Sequence, residues 1–384
     1  MSSIPLVSNP DCNPDCRACH YRELDYPEQL ARKQRWAETQ LGGRWAHALA
    51  LIEPAPEPER LGYRFKSWLR TSTEQGTLSF GMIRSRRAGT RWEKEFVSWN
   101  TCPLHAESIR EMIKRLQKIF MEKALTFTET ALAGVWFGSP HMVIIAREDA
   151  VSLMESIDWS QVLIAPFDRV WFHENSQIGV KVFGHRPLVQ LAGPPLESAL
   201  HSAHPVRAFR QAAHTLLERA RGLALEHLLK PSPSQVLDLY CGTGELSLGL
   251  PSDVEWIGIE QAKEAVEFAN SLRKPGRKVH RAFVGAVEQR LEDPALLQLI
   301  RSPYSLYINP PRSGLTAEAR AQVIKLLQAH PAITIAYLSC SASSLARDLG
   351  FLEEAGYRVE VLRPFDFFPQ TEHFETLATL VPAQ

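Results

Sequence analysis

The chain has 384 residues and a mass of 43.3 kDa, and this length predicts two domains rather than one small one. Apolar residues make up 45% and charged residues 22%, which excludes wholesale disorder. The 43 basic and 43 acidic residues balance, which excludes a histone-like polycation. No apolar run approaches the ~20 residues of a membrane span, and the N-terminus lacks a secretory signal. We expect a cytoplasmic protein without a membrane partner.

Cysteines cluster near the N-terminus. Cys12, Cys16 and Cys19 form a C-x3-C-x2-C motif, and Cys102 lies alone further along the chain. In a reducing cytosol such a cluster indicates metal ligation or catalysis before it indicates disulfides. Three close cysteines and one distant cysteine can close a tetrahedral site. By ligand type alone, zinc and a 4Fe–4S cluster both fit.

The first two hundred residues predict a mostly antiparallel β domain. Residues 26–34 predict an amphipathic helix with Leu30 as a buried position. Short segments of alternating apolar residues follow between about residues 63 and 192, interrupted by a helix at about 104–123. The stretch 191–205 is the expected junction, so the predicted domains are 1–200 and 201–384.

A basic segment of this domain predicts contact with nucleic acid. Between residues 60 and 94 the acidic residues are Glu74 and Glu93, whereas the basic ones are Arg60, Arg64, Lys66, Arg70, Arg84, Arg86, Arg87, Arg91 and Lys94. The aromatic residues between them are Tyr63, Trp68, Phe80 and Trp92. Basic side chains neutralise phosphates, and aromatic rings stack on splayed bases. We favour RNA contact for the arginines and burial in the sheet's core for the aromatic rings.

From about residue 206 strands and helices alternate, which predicts a parallel, doubly wound α/β sheet. The first strand ends in the glycine turn DLYCGTG, residues 238–244, followed by a predicted helix, LSLGL. Glycines there let a nucleotide approach the backbone closely. Glu260 ends the next strand, where a carboxylate can accept both hydroxyls of a ribose. A nicotinamide fingerprint needs a third glycine where Ser247 stands, so a dehydrogenase fits less well.

Two side chains near the ends of later strands suit covalent and proton-transfer chemistry. Cys340 precedes a predicted helix, and a thiol near a helix N-terminus has a lowered pKa and greater nucleophilicity; a small core residue is the alternative. Glu375 begins a strand among phenylalanines, where a carboxyl titrates higher and suits a proton acceptor near neutral pH. An edge-strand carboxylate is the alternative for Glu375. The final segments RVEVLRPFDFFP and FETLATLV predict an antiparallel hairpin. Such a hairpin, closing an otherwise parallel sheet, is the arrangement of S-adenosylmethionine methyltransferases.

Four motifs in this order, DLYCGTG, INPPRSGL, YLSCSASSLARDL and FDFFPQTEHFE, resemble the RNA uracil-C5 methyltransferase family. The resemblance covers about residues 208–384 and implies a Rossmann-like class I methyltransferase domain that uses S-adenosylmethionine to make 5-methyluridine. The N-terminal cysteines resemble the cluster ligands of the ribosomal RNA branches, which implies a 4Fe–4S cluster on Cys12, Cys16, Cys19 and Cys102. The chain is most similar to the short 23S rRNA enzymes, which lack a TRAM barrel and modify a uridine in a hairpin loop.

The resemblance also implies roles for single residues. Cys340 would add to uracil C6, and Glu375 would remove the C5 proton after methyl transfer. Arg312 would hold a uracil oxygen or a phosphate, and His373 would orient neighbouring groups rather than bind a metal. The implied cofactor contacts are Gln211, Tyr240, Glu260 and Asn309.

We therefore expect a monomeric, S-adenosylmethionine-dependent 23S rRNA (uracil-C5)-methyltransferase with an iron–sulfur, RNA-binding β domain in front of its Rossmann-like domain. A transfer RNA substrate is the first alternative. The second is a non-catalytic RNA-binding protein of the same fold. It remains open because Ala286 stands where many family members carry an acidic residue, so that the cofactor pocket is altered.

Overall fold

The computed structural model describes residues 5–74, 77–88, 91–122, 132–148, 150–177, 182–194, 205–206, 214–273, 276 and 279–383. The chain divides into two compact units. The first unit comprises Met1–Glu23 and Pro58–Ala212, and the second comprises Leu24–Glu57 and Ala213–Gln384. The predicted domain boundary at residue 200 lies outside the described residues and stays a prediction.

The helices of the described residues are, in chain order, α1 (Tyr26–Ala37), α2 (Gly43–Trp45), α3 (Glu107–Glu122), α4 (Val151–Glu155), α5 (His214–Leu229), α6 (Lys263–Ser271), α7 (Val287–Arg290), α8 (Pro294–Leu297), α9 (Ala317–Ala329) and α10 (Ala342–Glu354). The strands are β1 (Lys66–Glu74), β2 (Thr77–Ala88), β3 (Arg91–Ser98), β4 (Leu132–Gly138), β5 (His141–Ala146), β6 (Arg169–Glu174), β7 (Leu188–Ala192), β8 (Gln235–Leu239), β9 (Glu255–Glu260), β10 (His280–Val284), β11 (Tyr304–Ile308), β12 (Thr334–Ser339), β13 (Tyr357–Phe365) and β14 (Glu375–Pro382). No helix among these residues is long and apolar enough to cross a lipid bilayer.

The first unit is built on a sheet with the strand order β3-β2-β1-β4-β5-β6-β7. Its neighbouring strands are antiparallel except for β5 and β6, which confirms the predicted antiparallel character. The predicted helix at about 104–123 is α3. Its apolar residues recur every three or four positions, so that Ile109, Met112, Ile113 and Leu116 are fully buried in one core with Phe80.

The second unit is an α/β sheet with the strand order β10-β9-β8-β11-β12-β14-β13. Its strands are parallel except β14, which is antiparallel to both β12 and β13. The predicted doubly wound sheet and its closing hairpin are thus confirmed. The helix predicted at LSLGL, after the glycine turn, is a short 3-10 helix, Glu245–Gly249. Pro251 follows two residues later and cannot continue a helix.

A segment from the N-terminal part of the chain completes the second unit. Asp25 caps α1 by accepting a hydrogen bond from the Glu28 N–H at 2.8 Å. Residues 48–53 then run beside β13, and the Ala50 N–H donates to the Leu362 carbonyl at 2.8 Å. This pairing covers an edge of the sheet that would otherwise expose backbone groups. The predicted buried position, Leu30, is only partly buried on α1.

Candidate active site and cysteine cluster

The glycine turn after β8 is held in left-handed backbone conformations. Tyr240, Gly242 and Gly244 have φ angles of 61°, 55° and 72°. A Cβ atom on Gly244 would lie 2.8 Å from the Cβ of Ala269, so glycine is required there for close packing. A Cβ on Gly242 would meet no atom within 4 Å, and the space beside this residue is therefore open to a ligand.

Asp238 lies beneath the turn and is only 1% exposed. Its Oδ2 accepts a hydrogen bond from Trp256 Nε1 at 3.2 Å, whereas its Oδ1 has no hydrogen-bond partner among the described residues. Burial, followed by the nearby charge of Glu260, raises the pKa of this carboxyl to about 8. Sequence reasoning named Asp238 only as part of the turn and did not predict its unsatisfied oxygen.

Glu260, at the end of β9, holds the turn from the neighbouring strand. Its carboxylate accepts the Gly242 N–H at 3.2 Å and the Ala262 N–H at 2.8 Å. A carboxylate has about four acceptor positions, so two remain for ligand hydroxyls. This geometry is compatible with the predicted ribose contact.

The other predicted cofactor residues divide into two groups. Tyr240 and Asn309 are half-buried, and the Asn309 N–H donates to the Leu239 carbonyl at 3.2 Å, which brings both residues to the end of β8. Burial raises the pKa of the Tyr240 hydroxyl, with Glu288 as the next contribution. Gln211 lies outside the described residues, so its predicted role is not addressed.

Cys340 and Glu375 lie together at the same edge of this sheet. Ser339, the last residue of β12, pairs with Thr376 of the antiparallel β14. Cys340 follows Ser339 and Glu375 precedes Thr376, so the two residues take the next positions along this ladder. Glu375 is 1% exposed, whereas Cys340 is partly exposed.

The predicted lowering of the Cys340 pKa is wrong for the ligand-free protein. Burial raises the pKa of this thiol to about 11, and the negative charge of Glu375 adds to the rise. The charge of Arg312 acts in the opposite direction. Cys340 lies just before Ser341, the N-cap of α10, but desolvation outweighs any benefit of that position.

The loop after β11 brings Arg312 towards the other motifs. The exposed Arg312 donates from Nη2 to His373 Nδ1 at 3.1 Å, and since a guanidinium is only a donor, Nδ1 is the acceptor. The buried carboxylate of Asp348 fixes this loop by accepting the Leu315 N–H at 2.8 Å. A Cβ on Gly314, whose φ is +73°, would lie 2.4 Å from Asp348 Oδ2, so this contact requires glycine. The role of Asp348 was not predicted from the sequence, because nothing in YLSCSASSLARDL marks this aspartate as buried.

The four predicted ligand cysteines of the first unit interact with one another electrostatically. Burial raises the pKa of the Cys19 thiol to about 12, and the charges of Cys102, Cys16 and Cys12 add to the rise. Trp99 donates from Nε1 to the Cys16 Sγ at 3.3 Å. All four cysteines are free and partly buried.

The positions of these cysteine side chains differ from those that a single metal ion requires. Among the residues that the structure describes, no group of three or more His, Cys, Asp or Glu side chains could hold a metal ion. The donor set of four neighbouring thiols nevertheless has the chemistry that zinc and iron–sulfur clusters require. The predicted cluster stays a prediction.

The basic segment of the first unit has both buried and exposed parts. Tyr63 and Phe80 are core residues, 4% and 0% exposed, as favoured for the aromatic rings, whereas Trp92 is 71% exposed. Arg70 lies over the half-buried Trp68 ring, 5.4 Å from its centroid. Arg91 and Lys94 are exposed on β3, whereas the side chains of Arg86 and Arg87 lie outside the described residues. A cavity of ≈ 580 Å³ next to the cysteine loop is lined by Asp15, Arg17, Ala18, Met82, Arg84 and Ser85.

Sequence comparison finds relatives among RNA uracil-C5 methyltransferases. A family model described as tRNA (Uracil-5-)-methyltransferase matches residues 278–381, a range that contains the Arg312, Cys340 and Glu375 motifs. A 23S rRNA (uracil(1939)-C(5))-methyltransferase of Marinomonas sp. is 26% identical over 95% of this chain and 78% of its own. These matches confirm the predicted resemblance to the RNA uracil-C5 methyltransferase family.

The proteins similar to this chain differ in the RNA that their names specify. A tRNA (uracil(54)-C(5))-methyltransferase of Schizosaccharomyces pombe is 25% identical over 95% of this chain and 64% of its own. The crystal structure of a Pyrococcus abyssi tRNA (uracil-54, C5)-methyltransferase with S-adenosyl-L-homocysteine covers 95% of this chain and 85% of its own, with a TM-score of 0.69 and 19% identity. This structural likeness confirms the Rossmann-like methyltransferase fold.

Proposed function

We propose that this RNA uracil-C5 methyltransferase acts through a covalent adduct between Cys340 and the target base. Uracil C5 is a poor nucleophile, and addition of a thiolate at C6 makes C5 enolate-like. Bound S-adenosylmethionine would supply the methyl group that C5 takes, with S-adenosylhomocysteine as the leaving product. Glu375 accepts the C5 proton, the C5–C6 double bond re-forms, and the thiolate is released.

The observation that carries this proposal is that Cys340 directly follows β12 and Glu375 begins β14, next to the pair Ser339 and Thr376, and that the charge of Glu375 acts on the Cys340 thiol. A nucleophile and a proton acceptor on one base must approach adjacent ring atoms, C6 and C5. Arg312 is suited to favour the thiolate, because its charge lowers the Cys340 pKa. The Arg312 guanidinium could also donate hydrogen bonds to a negatively charged oxygen of the base or of an RNA phosphate.

The cofactor would occupy the open side of the glycine turn. The unsatisfied Oδ1 of Asp238, the free acceptor positions of Glu260 and the open space at Gly242 all fit a charged nucleoside ligand. Tyr240 and Asn309 lie at the same strand end. By resemblance we include Gln211 in this cofactor site. When bound, S-adenosylmethionine supplies an electrophilic methyl group.

For the substrate we propose a uridine in a 23S rRNA hairpin loop. Resemblance to the short 23S rRNA enzymes and the N-terminal cysteines support this choice over transfer RNA. Relatives that act on either RNA are similar to this chain to nearly the same degree, 26% and 25%. In both cases the base must leave its stack, because neither thiol nor cofactor reaches C5 and C6 within a helix.

We further propose that Cys12, Cys16, Cys19 and Cys102 hold a structural 4Fe–4S cluster. Zinc with bonds of about 2.3 Å draws four sulfurs to within roughly 3.8 Å of one another. A cubane cluster places its cysteine sulfurs further apart and suits neighbouring thiols that do not converge on one ion. Its role would be to tie the N-terminal loop to the segment before α3, where Cys102 lies.

The proposal is tested by incubating the purified protein with S-adenosylmethionine and separate transcripts of 23S rRNA hairpins and transfer RNAs. Nucleoside mass spectrometry then measures 5-methyluridine. We expect methylation of a ribosomal hairpin, loss of methylation in Cys340→Ala, and normal methylation in the control Ser343→Ala, an exposed neighbour. Methylation by Cys340→Ala would contradict the mechanism. Methylation of transfer RNA alone would support the first alternative, and no calorimetric binding of S-adenosylmethionine would support the non-catalytic one.

A further inference from the structure

The loop 366–374 joins β13 to β14 and ends at Glu375. We propose that α1 acts as a clamp on this loop, and that Gln29 and Lys33 are positioning residues for proton removal by Glu375. This inference rests on the proposed function. Phe365 and Glu375 pair across the hairpin, so the two ends of the loop lie next to each other. The conformation of the loop therefore affects the position of Glu375.

A buried ion pair anchors the start of the loop. The side chains of Lys33 and Asp366 form a salt bridge, and both are 0% exposed. Lys33 also donates from Nζ to the Phe368 carbonyl at 3.0 Å. Asp366 accepts at Oδ2 from the Tyr26 hydroxyl at 2.8 Å, and that hydroxyl oxygen accepts the Ala55 N–H at 2.7 Å. Burying two charges costs desolvation that their attraction often fails to recover, so such a pair is a poor source of stability but fixes a unique geometry.

A second set of contacts fixes the middle of the loop. The Gln370 N–H donates to Gln29 Oε1 at 2.9 Å, and Gln29 Nε2 donates to Gln370 Oε1 at 2.9 Å. Gln29 Nε2 also donates to the Leu24 carbonyl at 3.0 Å. Both glutamines are buried, at 1% and 5% exposure. This reciprocal pair holds Gln370 at a φ of 71°, a conformation that non-glycine residues adopt with strain.

The fixed loop leads to the reacting groups. The Thr371 hydroxyl donates to the Phe368 carbonyl at 2.8 Å and accepts the His373 N–H at 3.2 Å. The His373 ring packs edge-on against Phe368, with centroids 6.5 Å apart, and accepts from Arg312. Contacts therefore run from α1 through Phe368 to His373, two residues before Glu375. A displaced loop would misplace Glu375 relative to C5 of the bound base.

The experiment compares Gln29→Ala with Gln34→Ala in the full-length protein. Gln34 also lies on α1, but its side chain accepts the Ile52 N–H at 2.8 Å and donates to Glu38 Oε1 at 3.1 Å, and neither partner belongs to the loop. For Gln29→Ala we expect a turnover between about ten and a hundred times slower. We also expect accumulation of the covalent RNA–protein adduct in denaturing gels, because proton removal is delayed. KM for RNA and the Kd for S-adenosylhomocysteine should change less than twofold. Gln34→Ala should match the wild type in turnover and adduct fraction.

Two further variants separate positioning from folding. Gln29→Asn keeps an amide with both the acceptor for the Gln370 N–H and the donor that Gln29 Nε2 provides, on a side chain one methylene shorter, and should keep more of the turnover than Gln29→Ala. Gln370→Gly adopts a positive φ without strain, so in the Gln29→Ala background it should restore turnover in part. A Gln29→Ala variant with normal turnover and no extra adduct overturns the inference, and so does equal loss in Gln34→Ala. A wild-type protein that methylates no RNA contradicts the proposed function instead.

Discussion

Cys340 follows the last residue of β12 and Glu375 is the first residue of its antiparallel neighbour β14, and the charge of Glu375 raises the pKa of the Cys340 thiol. The carboxylate that we propose as acceptor of the C5 proton thus disfavours the thiolate that the proposed adduct requires. Arg312 opposes this effect. A thiol with a pKa of about 11 is a thiolate in roughly one molecule in ten thousand at pH 7. We infer that the free protein keeps the proposed nucleophile protonated.

Replacement of Glu375 should have opposite effects on the thiol and on turnover. In Glu375→Gln the loss of negative charge lowers the Cys340 pKa, so that iodoacetamide should label Cys340 roughly three to ten times faster at pH 8. The same variant should accumulate the RNA adduct and release little product. Peptide mapping of labelled Cys340 and denaturing gels measure the two effects. Slower labelling in Glu375→Gln would show that its charge does not govern the thiol.

Replacement of Arg312 should lower the fraction of Cys340 that is present as thiolate. In Arg312→Gln the favourable charge is lost, the Cys340 pKa rises further, and labelling by iodoacetamide should fall at each pH between 7 and 9. In both proteins the rate should rise about tenfold per pH unit, because this range lies below the thiol pKa. Arg358→Gln is the control, since Arg358 pairs with Glu360 on β13 away from this edge. Equal labelling rates in Arg312→Gln and the wild type would contradict the prediction.

The sequence predicted the parts of the second unit that local patterns encode. Runs of apolar residues between glycine turns are sufficient to predict β8 to β14, and loops at strand ends brought Cys340 and Glu375 to one edge. The predicted shift of the Cys340 pKa has the wrong direction, because the pKa is raised rather than lowered. A helix N-terminus is visible in the sequence, whereas burial and a carboxylate on another strand are not.

Long-range polar contacts explain the other failures. Gln29 and Lys33 belong to a helix that the sequence predicts as amphipathic, and polar residues there are expected to face water. Their partners Gln370 and Asp366 are 341 and 333 positions away, so no local pattern marks them as buried. The exposure of an aromatic ring in a strand likewise depends on which sheet face is covered, which local sequence does not specify.

Asp238 should destabilise the ligand-free protein as the pH rises. Its folded pKa of about 8 lies above the unfolded value, so the proton bound in the folded state stabilises the protein fully below about pH 4. That contribution is lost as the pH rises towards 8. Asp238→Asn should therefore raise the free energy of unfolding by about 1–3 kcal/mol at pH 8 and by much less at pH 4. Urea denaturation at both pH values measures this difference.

The same substitution should weaken cofactor binding. The buried Asp238 Oδ1 has no hydrogen-bond partner among the described residues, which is unfavourable unless a donor on the ligand reaches it, directly or through water. The Asp238→Asn variant should therefore bind S-adenosylhomocysteine more weakly. Calorimetric titration checks this expectation, with Asp253→Asn, an exposed aspartate of the same unit, as the control. Unchanged affinity together with increased stability would mean that Oδ1 does not serve the ligand.

The N-terminal cysteines give a prediction that does not depend on activity. A protein purified without oxygen should be brown, absorb near about 400 nm, and contain about four irons and four sulfides per chain. Cys19→Ser should lose this absorption, because the substitution removes one of the four thiolates that would hold the cluster. Cys241→Ser, which changes a cysteine of the second unit, should keep it. A colourless wild-type protein that holds one zinc ion per chain would contradict the cluster, because the same four sulfurs would then bind a single zinc ion.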